Sequence, residues 1–354
     1  MSDAIKDNNL LKEKANNNND IEKESNPINI KQLTYLTIDS FSYWYRDNTF
    51  TVFKSINDIF YLIFSNKNKS IISYDLINNK KAIEIKKAHK NYITSFRHIN
   101  DLINKRDLII SISCNDNDIK LWNVNNFECI LDIKHIYIED LTACFLNYSN
   151  QIYIITGNRH YSSTRPDLIR IYDLKGKKIK EIKNSNDNIS FIDSYYDNKL
   201  LNTYIITGNT KNCKSFDYKE NKVYNIYTDP KDDYISSSSI IINNKEEIVK
   251  LIAACYCGYI KIWDFHSGKL LNVIYIINEY NYLGSICLYD NNYLLVSCIN
   301  DIKIVDLEKR KIIGNIKGHN DKVVTIKKIN HPYYKECLIS QGVKDDNIKI
   351  WIEK

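Results

Sequence analysis

Apolar residues in this 354-residue chain fall in short runs, each broken by Asn- and Asp-rich turns. Such runs, rich in Ile, Val, Leu and aromatics, predict β-strands. One element recurs seven times: an apolar stretch that closes on an aromatic residue, or its substitute, followed by an acid or its relic. The copies end at Tyr74-Asp75, Trp122-Asn123, Tyr172-Asp173, Phe216-Asp217, Trp263-Asp264, Val305-Asp306 and Trp351-Ile352. A period in the forties is the mark of a repeat architecture. The stretch from Ile93 to Ile133 displays one unit in full, with strands predicted at Ile93–Phe96, Leu108–Ser113, Ile119–Trp122 and Cys129–Ile133. Four strands per unit, seven times, predict seven small antiparallel sheets packed radially, which buries both faces of each sheet and leaves only short edges.

Composition refines this picture. Hydrophobic residues make up 44% of the chain, enough for a sizeable core, while only 9 Gly and 4 Pro occur. Asn and Asp are therefore expected to take the turn positions, since both tolerate left-handed backbone. Residues 1–27 are polar and rich in Asn, Lys and Glu, and are expected to form a disordered tail. The domain proper is expected over residues 28–354.

Charge and cysteines narrow the function classes. The net charge is +6 with the signs interspersed, and no Lys/Arg run carries interleaved aromatics. That pattern argues against a nucleic-acid partner. No signal-like stretch occurs, and no apolar run reaches about 18 residues, so no membrane partner is expected either. Nine scattered cysteines, most of them in apolar strands, fit reduced thiols in the cytoplasm or, alternatively, the nucleus. Cys255-Tyr256-Cys257 is a close pair without a second pair, which is a poor metal-ligand pattern. No metal or cofactor is expected.

The units resemble WD40 repeats across essentially all of residues 28–354. Gly318-His319 matches that family's turn before the innermost strand, and Ala88-His89 and Lys134-His135 are weaker versions. The resemblance implies an all-β, seven-bladed propeller of four-stranded antiparallel blades. It also implies a His–Ser–Asp–Trp network within a blade: His89, Ser111, Asp116 and Trp122 in the second, and His319, Ser340, Asp345 and Trp351 in the last. Both copies place Ser and Trp eleven residues apart, one more than the family's usual pattern. The other five units lack the full set and are expected to rely on apolar packing alone. The last unit runs out after its third strand, so Ile28–Ile38 is expected to supply the fourth and close the ring, removing an exposed edge.

Function is expected on loops. A hydrolytic triad is disfavoured because the His, Ser and Asp recur at structural places and no Gly-x-Ser-x-Gly elbow occurs. The third unit carries an enlarged loop, Asn158 to Pro166, with Arg159, His160, Tyr161 and Arg165. Arg and Tyr are favoured interface anchors, and a tolerated surface insertion is the other reading of that loop. Asn115, Tyr256 and Lys344 precede the turn acid or its substitute and are expected on the same rim. Phe41-Ser42-Tyr43-Trp44-Tyr45 is expected to pack inward. The combined expectation is a non-enzymatic scaffold, monomeric within a larger complex, that binds protein or peptide on its loop face. The alternatives are a ubiquitin-ligase substrate receptor, for which no Arg follows Trp-Asp by two residues, and a propeller enzyme with carboxylates converging in the channel. A phosphoinositide-binding propeller would carry an Arg-Arg pair, and the chain has none.

Overall fold

The computed structural model describes residues 33–40, 48–113, 118–134, 139–159, 168–184, 189–209, 212–228, 235–243, 248–255, 257–277, 283–343 and 347–353. The tail expected at 1–27 and the Phe41–Tyr45 cluster lie outside them. Within them, 28 strands form seven four-stranded antiparallel sheets.

Blade 1 is β2 (Phe50–Lys54), β3 (Phe60–Ser65), β4 (Ile71–Asp75) and β5 (Lys80–Ile85). Blade 2 is β6 (Ile93–Asp101), β7 (Arg106–Ser113), β8 (Asp118–Asn123) and β9 (Glu128–Lys134). Blade 3 is β10 (Glu139–Tyr148), β11 (Gln151–Arg159), β12 (Leu168–Asp173) and β13 (Lys178–Lys183). Blade 4 is β14 (Phe191–Asp197), β15 (Asn202–Gly208), β16 (Cys213–Asp217) and β17 (Lys222–Tyr227). Blade 5 is β18 (Ile235–Asn243), β19 (Ile248–Cys255), β20 (Tyr259–Asp264) and β21 (Leu270–Tyr275). Blade 6 is β22 (Leu283–Leu288), β23 (Tyr293–Cys298), β24 (Asp301–Asp306) and β25 (Lys311–Lys317). Blade 7 is β26 (Val323–His331), β27 (Lys335–Gly342), β28 (Asn347–Glu353) and, from the far end of the chain, β1 (Leu33–Asp39). The chain is thus a seven-bladed, all-β propeller closed by an N-terminal strand.

The core is seven cores, one between each pair of neighbouring blades. In β7, Leu108, Ile110 and Ile112 pack on blade 3, whereas Ile109 packs on blade 1. Burial on both faces is why second strands read as unbroken apolar runs rather than as an alternation. Fully burying one such aliphatic side chain contributes about 1.5–3 kcal/mol. Blade 4 departs from its neighbours at the inner strand. Phe191 reaches to where a side chain at position 208 would stand, because a Cβ there would lie 1.9 Å from its ring. Only Gly208 admits that close approach.

The recurring acid has a local task. Asp75 Oδ1 accepts the N–H groups of Ile77 and Asn78 at 2.9 and 3.1 Å. Asp173, Asp217, Asp264 and Asp306 cap their own turns in the same way, and Asn123 does so through Oδ1 to Asn125 N. Each of these turns joins the third strand to the fourth, with a register shift beside the aromatic position. In blade 7 the fourth strand is β1, from the far end of the chain. There the acid's place is taken by Ile352, part of the apolar core between blades 7 and 1.

The residue after the acid locks neighbours together. Leu76, Val124, Tyr218 and Phe265 are buried, and each packs with the preceding blade. Their backbone N–H groups bond Phe60, Asp107, Thr203 and Val249 carbonyls at 2.8–3.0 Å. The expectation about turn residues holds only in part. Asn48, Asp58, Asn79, Asn150 and Asn221 take left-handed backbone, but so do Lys105, Phe127, Leu201, Ile299 and Arg310. Hairpin geometry demands that conformation at the corner and overrides the cost of a Cβ there, about 1–2 kcal/mol.

Candidate functional site

In blade 2, His89 Nε2 lies 2.7 Å from Ser111 Oγ, and Trp122 Nε1 donates to the same oxygen at 2.8 Å. In blade 7, His319 Nε2 and Ser340 Oγ are 2.7 Å apart, and Trp351 Nε1 donates to Ser340 Oγ at 2.7 Å. The eleven-residue Ser–Trp spacing therefore accommodates the bond in both blades. Asp116 and Asp345 lie outside the described residues. Ser111 and Ser340 have no solvent exposure, so no substrate reaches either hydroxyl from this conformation. A basic residue that sequence reasoning missed braces each turn: Lys120 Nζ donates to Ala88 O at 2.8 Å, and Lys349 Nζ donates to Gly318 O. Its signal was present. Lys or Arg stands two residues before the aromatic position at 120, 170, 214, 261, 303 and 349.

Blades 4, 5 and 6 do not rely on apolar packing alone, which corrects the expectation for these three of the five degenerate blades. In blade 5, Trp263 Nε1 donates to Thr228 O at 3.2 Å, bridging to blade 4. Blade 4 sets Ser215 Oγ 3.0 Å from Tyr227 OH, which donates to Phe265 O at 2.7 Å. Burial foremost pushes the Tyr227 phenol far above its usual range, so it stays a neutral donor. In blade 6, Ser285 N donates to Ser297 Oγ at 2.6 Å. A buried polar group without a partner costs more than one hydrogen bond gains. These bonds serve part of that need, while Ser73 Oγ in blade 1 and Thr207 Oγ1 in blade 4 stay buried without a hydrogen-bond partner among the described residues.

Ring closure also uses a buried polar cluster. Thr49 N donates to Thr325 Oγ1 at 3.0 Å, Thr49 Oγ1 to Gln341 Oε1 at 2.5 Å, and Gln341 Nε2 to Ser40 Oγ at 2.8 Å. These residues are remote in sequence, and no local pattern announces them.

Of the rim residues expected from sequence, His160, Tyr161, Arg165, Asn115, Tyr256 and Lys344 lie outside the described residues. Arg159 is the last residue of β11, opposite Glu139, and Asn158 is opposite Leu141. Strand pairing thus carries the β10–β11 hairpin into what was expected to be loop. The chain segments holding these rim residues leave the second strands of blades 2, 3, 5 and 7 and return to the third strands. Between blades 7 and 1, at the ends of the opposite hairpin turns, a cavity of about 70 Å3 is lined by Leu76, His331, Tyr334 and Ile350 among others. It is well below the size of ordinary small-molecule sites, which run from about 300 Å3 upward. Among the described residues, no group of three His, Cys, Asp or Glu is placed to hold a metal ion. No helix among them is long and apolar enough to cross a membrane.

The fold defines the class of protein, a seven-bladed β-propeller, and its His–Ser–Trp bonds support a propeller of WD40 type. No protein-family model matches the chain. It is similar to the U3 small nucleolar RNA-associated protein 21 homolog of Schizosaccharomyces pombe, at 26% identity over 89 residues. The match covers 25% of this chain and 9% of that protein.

Proposed function

We propose that this propeller is a non-enzymatic scaffold that binds protein or peptide partners on the face bearing the links between second and third strands. The observation that carries the reading is the extended β10–β11 hairpin, paired out to Glu139 and Arg159. His160, Tyr161 and Arg165 follow its last paired residue closely in sequence. A hairpin fixed in advance lowers the ordering cost of binding. Asn115, Tyr256 and Lys344 fall in sequence between the second and third strands of blades 2, 5 and 7 and belong to the same proposed partner-binding set. The closed His–Ser–Trp bonds add support, since they commit to structure the groups most suggestive of hydrolysis. The setting that suits its free thiols is the cytoplasm or nucleus.

The test is capture mass spectrometry with the intact chain and with Arg159→Ala/Tyr161→Ala/Arg165→Ala. A defined partner set that the variant loses is the expected result. A set unchanged by the variant removes this segment as the site, and no enrichment at all overturns the scaffold reading. The name of the yeast relative favours a second reading, in which the scaffold works inside a ribonucleoprotein assembly. Nuclease treatment before capture separates the two: partners bound through RNA disappear, and direct partners remain.

A further inference from the structure

The face opposite those links carries the first hairpin turn of each blade and the turns from third to fourth strands. Among the described residues, five large apolar side chains are more than half exposed: Leu102 (76%), Ile103 (68%), Leu200 (53%), Leu201 (74%) and Tyr333 (71%). All five sit in first hairpin turns, those of blades 2, 4 and 7, and Tyr334 joins Tyr333 in the last. The up-and-down order of strands puts these three turns on one face of the ring. An exposed lysine flanks each pair: Lys105, Lys199 and Lys335. The acids at the bases of two of these turns are folded inward. Asp101 is buried and pairs with Arg106 at 2.8 Å. Asp197 is buried against the N–H groups of Lys199 and Leu200 and pairs with His266 at 3.0 Å. The neighbouring third-to-fourth turns add exposed Lys175, Lys177, Lys309 and Arg310, which outnumber the exposed acids Glu308 and Glu336 beside these lysines. In blade 7 the tip is braced, because the N–H groups of Tyr333 and Tyr334 both donate to His331 Nδ1 at 3.2 Å.

We propose that this face docks on an anionic lipid bilayer, with the Leu102–Ile103, Leu200–Leu201 and Tyr333–Tyr334 tips entering the headgroup–acyl boundary and the flanking lysines meeting the headgroups. Three separate tips suit a fluid apolar phase, which admits each one independently, whereas a protein groove needs one contiguous apolar patch. Two of the three tips are aliphatic pairs and only Tyr333–Tyr334 offers rings on which bases could stack, which disfavours single-stranded nucleic acid as the occupant. Lysines beside Leu and Tyr match the chemistry of an anionic membrane surface. This goes beyond the scaffold reading and uses the other face. It also revises the expectation of no membrane partner, which rested on spanning segments and does not bear on surface contact.

The experiment is flotation of the full chain with phosphatidylcholine vesicles, with and without phosphatidylserine, at low and high salt. The chain is expected to float with the anionic vesicles, and high salt is expected to release it. Leu102→Ser/Ile103→Ser/Leu201→Ser is expected to lower partitioning by at least about tenfold, since several buried CH2 groups at ~0.8 kcal/mol each are lost. Lys105→Glu/Lys199→Glu/Lys335→Glu is expected to remove the preference for phosphatidylserine. All substituted side chains are exposed, and unchanged melting of each variant checks the fold. Absence of flotation with either vesicle overturns the proposal. So does wild-type self-association that the serine variant abolishes, or binding to polyuridine RNA without binding to vesicles.

Discussion

A single hydroxyl in blade 2 serves two buried partners. Ser111→Ala leaves His89 Nε2 and Trp122 Nε1 without their shared oxygen, at a cost of roughly 1–3 kcal/mol. A lower urea midpoint with an unchanged slope is the expected result. Ala253 occupies the matching place in blade 5 without that penalty because Trp263 turns to Thr228 O. Charge at single residues sets the acid limit of stability. Burial would raise the Asp75 carboxyl, but hydrogen bonds from Asn78 and Ile77 outweigh it and hold it below its usual 3.8. Asp264 is likewise lowered, burial being outweighed by bonds from Ser267. A carboxyl lowered in the folded state binds protons more readily when unfolded. The stabilisation is therefore complete above the unfolded value and disappears as pH falls through the folded one. His98 adds an earlier step. Burial pushes it below 6.5, against the pull of Asp107, whose Oδ1 it meets at 2.9 Å. Its contribution is lost as pH falls below about 6.5. Melting measured from pH 8 to 3 is expected to decline in two stages. His98→Gln is expected to remove the first, and Asp75→Asn/Asp264→Asn to flatten the second.

At the scale of elements, β1 holds the ring shut. It pairs with β28 from Leu33–Glu353 to Asp39–Asn347 without a register shift, unlike the hairpin-linked fourth strands. Alternate residues of an antiparallel strand bond the neighbour, so a proline at both Leu36 and Thr37 must delete at least one ladder hydrogen bond. Leu36→Pro/Thr37→Pro is expected to lower the melting temperature by several degrees and to speed proteolytic cleavage within β28. Equal melting and cleavage would mean that the ring closes without this pairing. Elements also explain which repeats tolerated sequence drift. Third-to-fourth turns kept Asp or Asn because turn N–H groups need an acceptor whatever lies in the core. Blades 4, 5 and 6 stand without the His–Ser–Trp bonds, with other carbonyls and hydroxyls serving buried polar groups there.

Across the whole molecule, two faces carry different chemistry, and each proposal rests on its own face. The sequence by itself determined the number of blades, the strand order and the closure by the N-terminal strand. Period, apolar runs and the capping acid are local or evenly repeated signals, each forced by backbone geometry or by two-sided burial. It also carried two signals that sequence reasoning passed over: the basic residue two before the aromatic, and the apolar residue after the acid. Both repeat as regularly as the aromatic itself. Only the tertiary structure decided the rest. The Thr49–Thr325–Gln341–Ser40 cluster joins residues nearly three hundred positions apart. The bond from Trp263 Nε1 to Thr228 O crosses from blade 5 to blade 4, between residues 35 positions apart. The pairs Leu102–Ile103, Leu200–Leu201 and Tyr333–Tyr334 look in sequence like any buried apolar run. They stand exposed because each falls on a hairpin corner where the chain reverses, with no neighbouring blade to cover it.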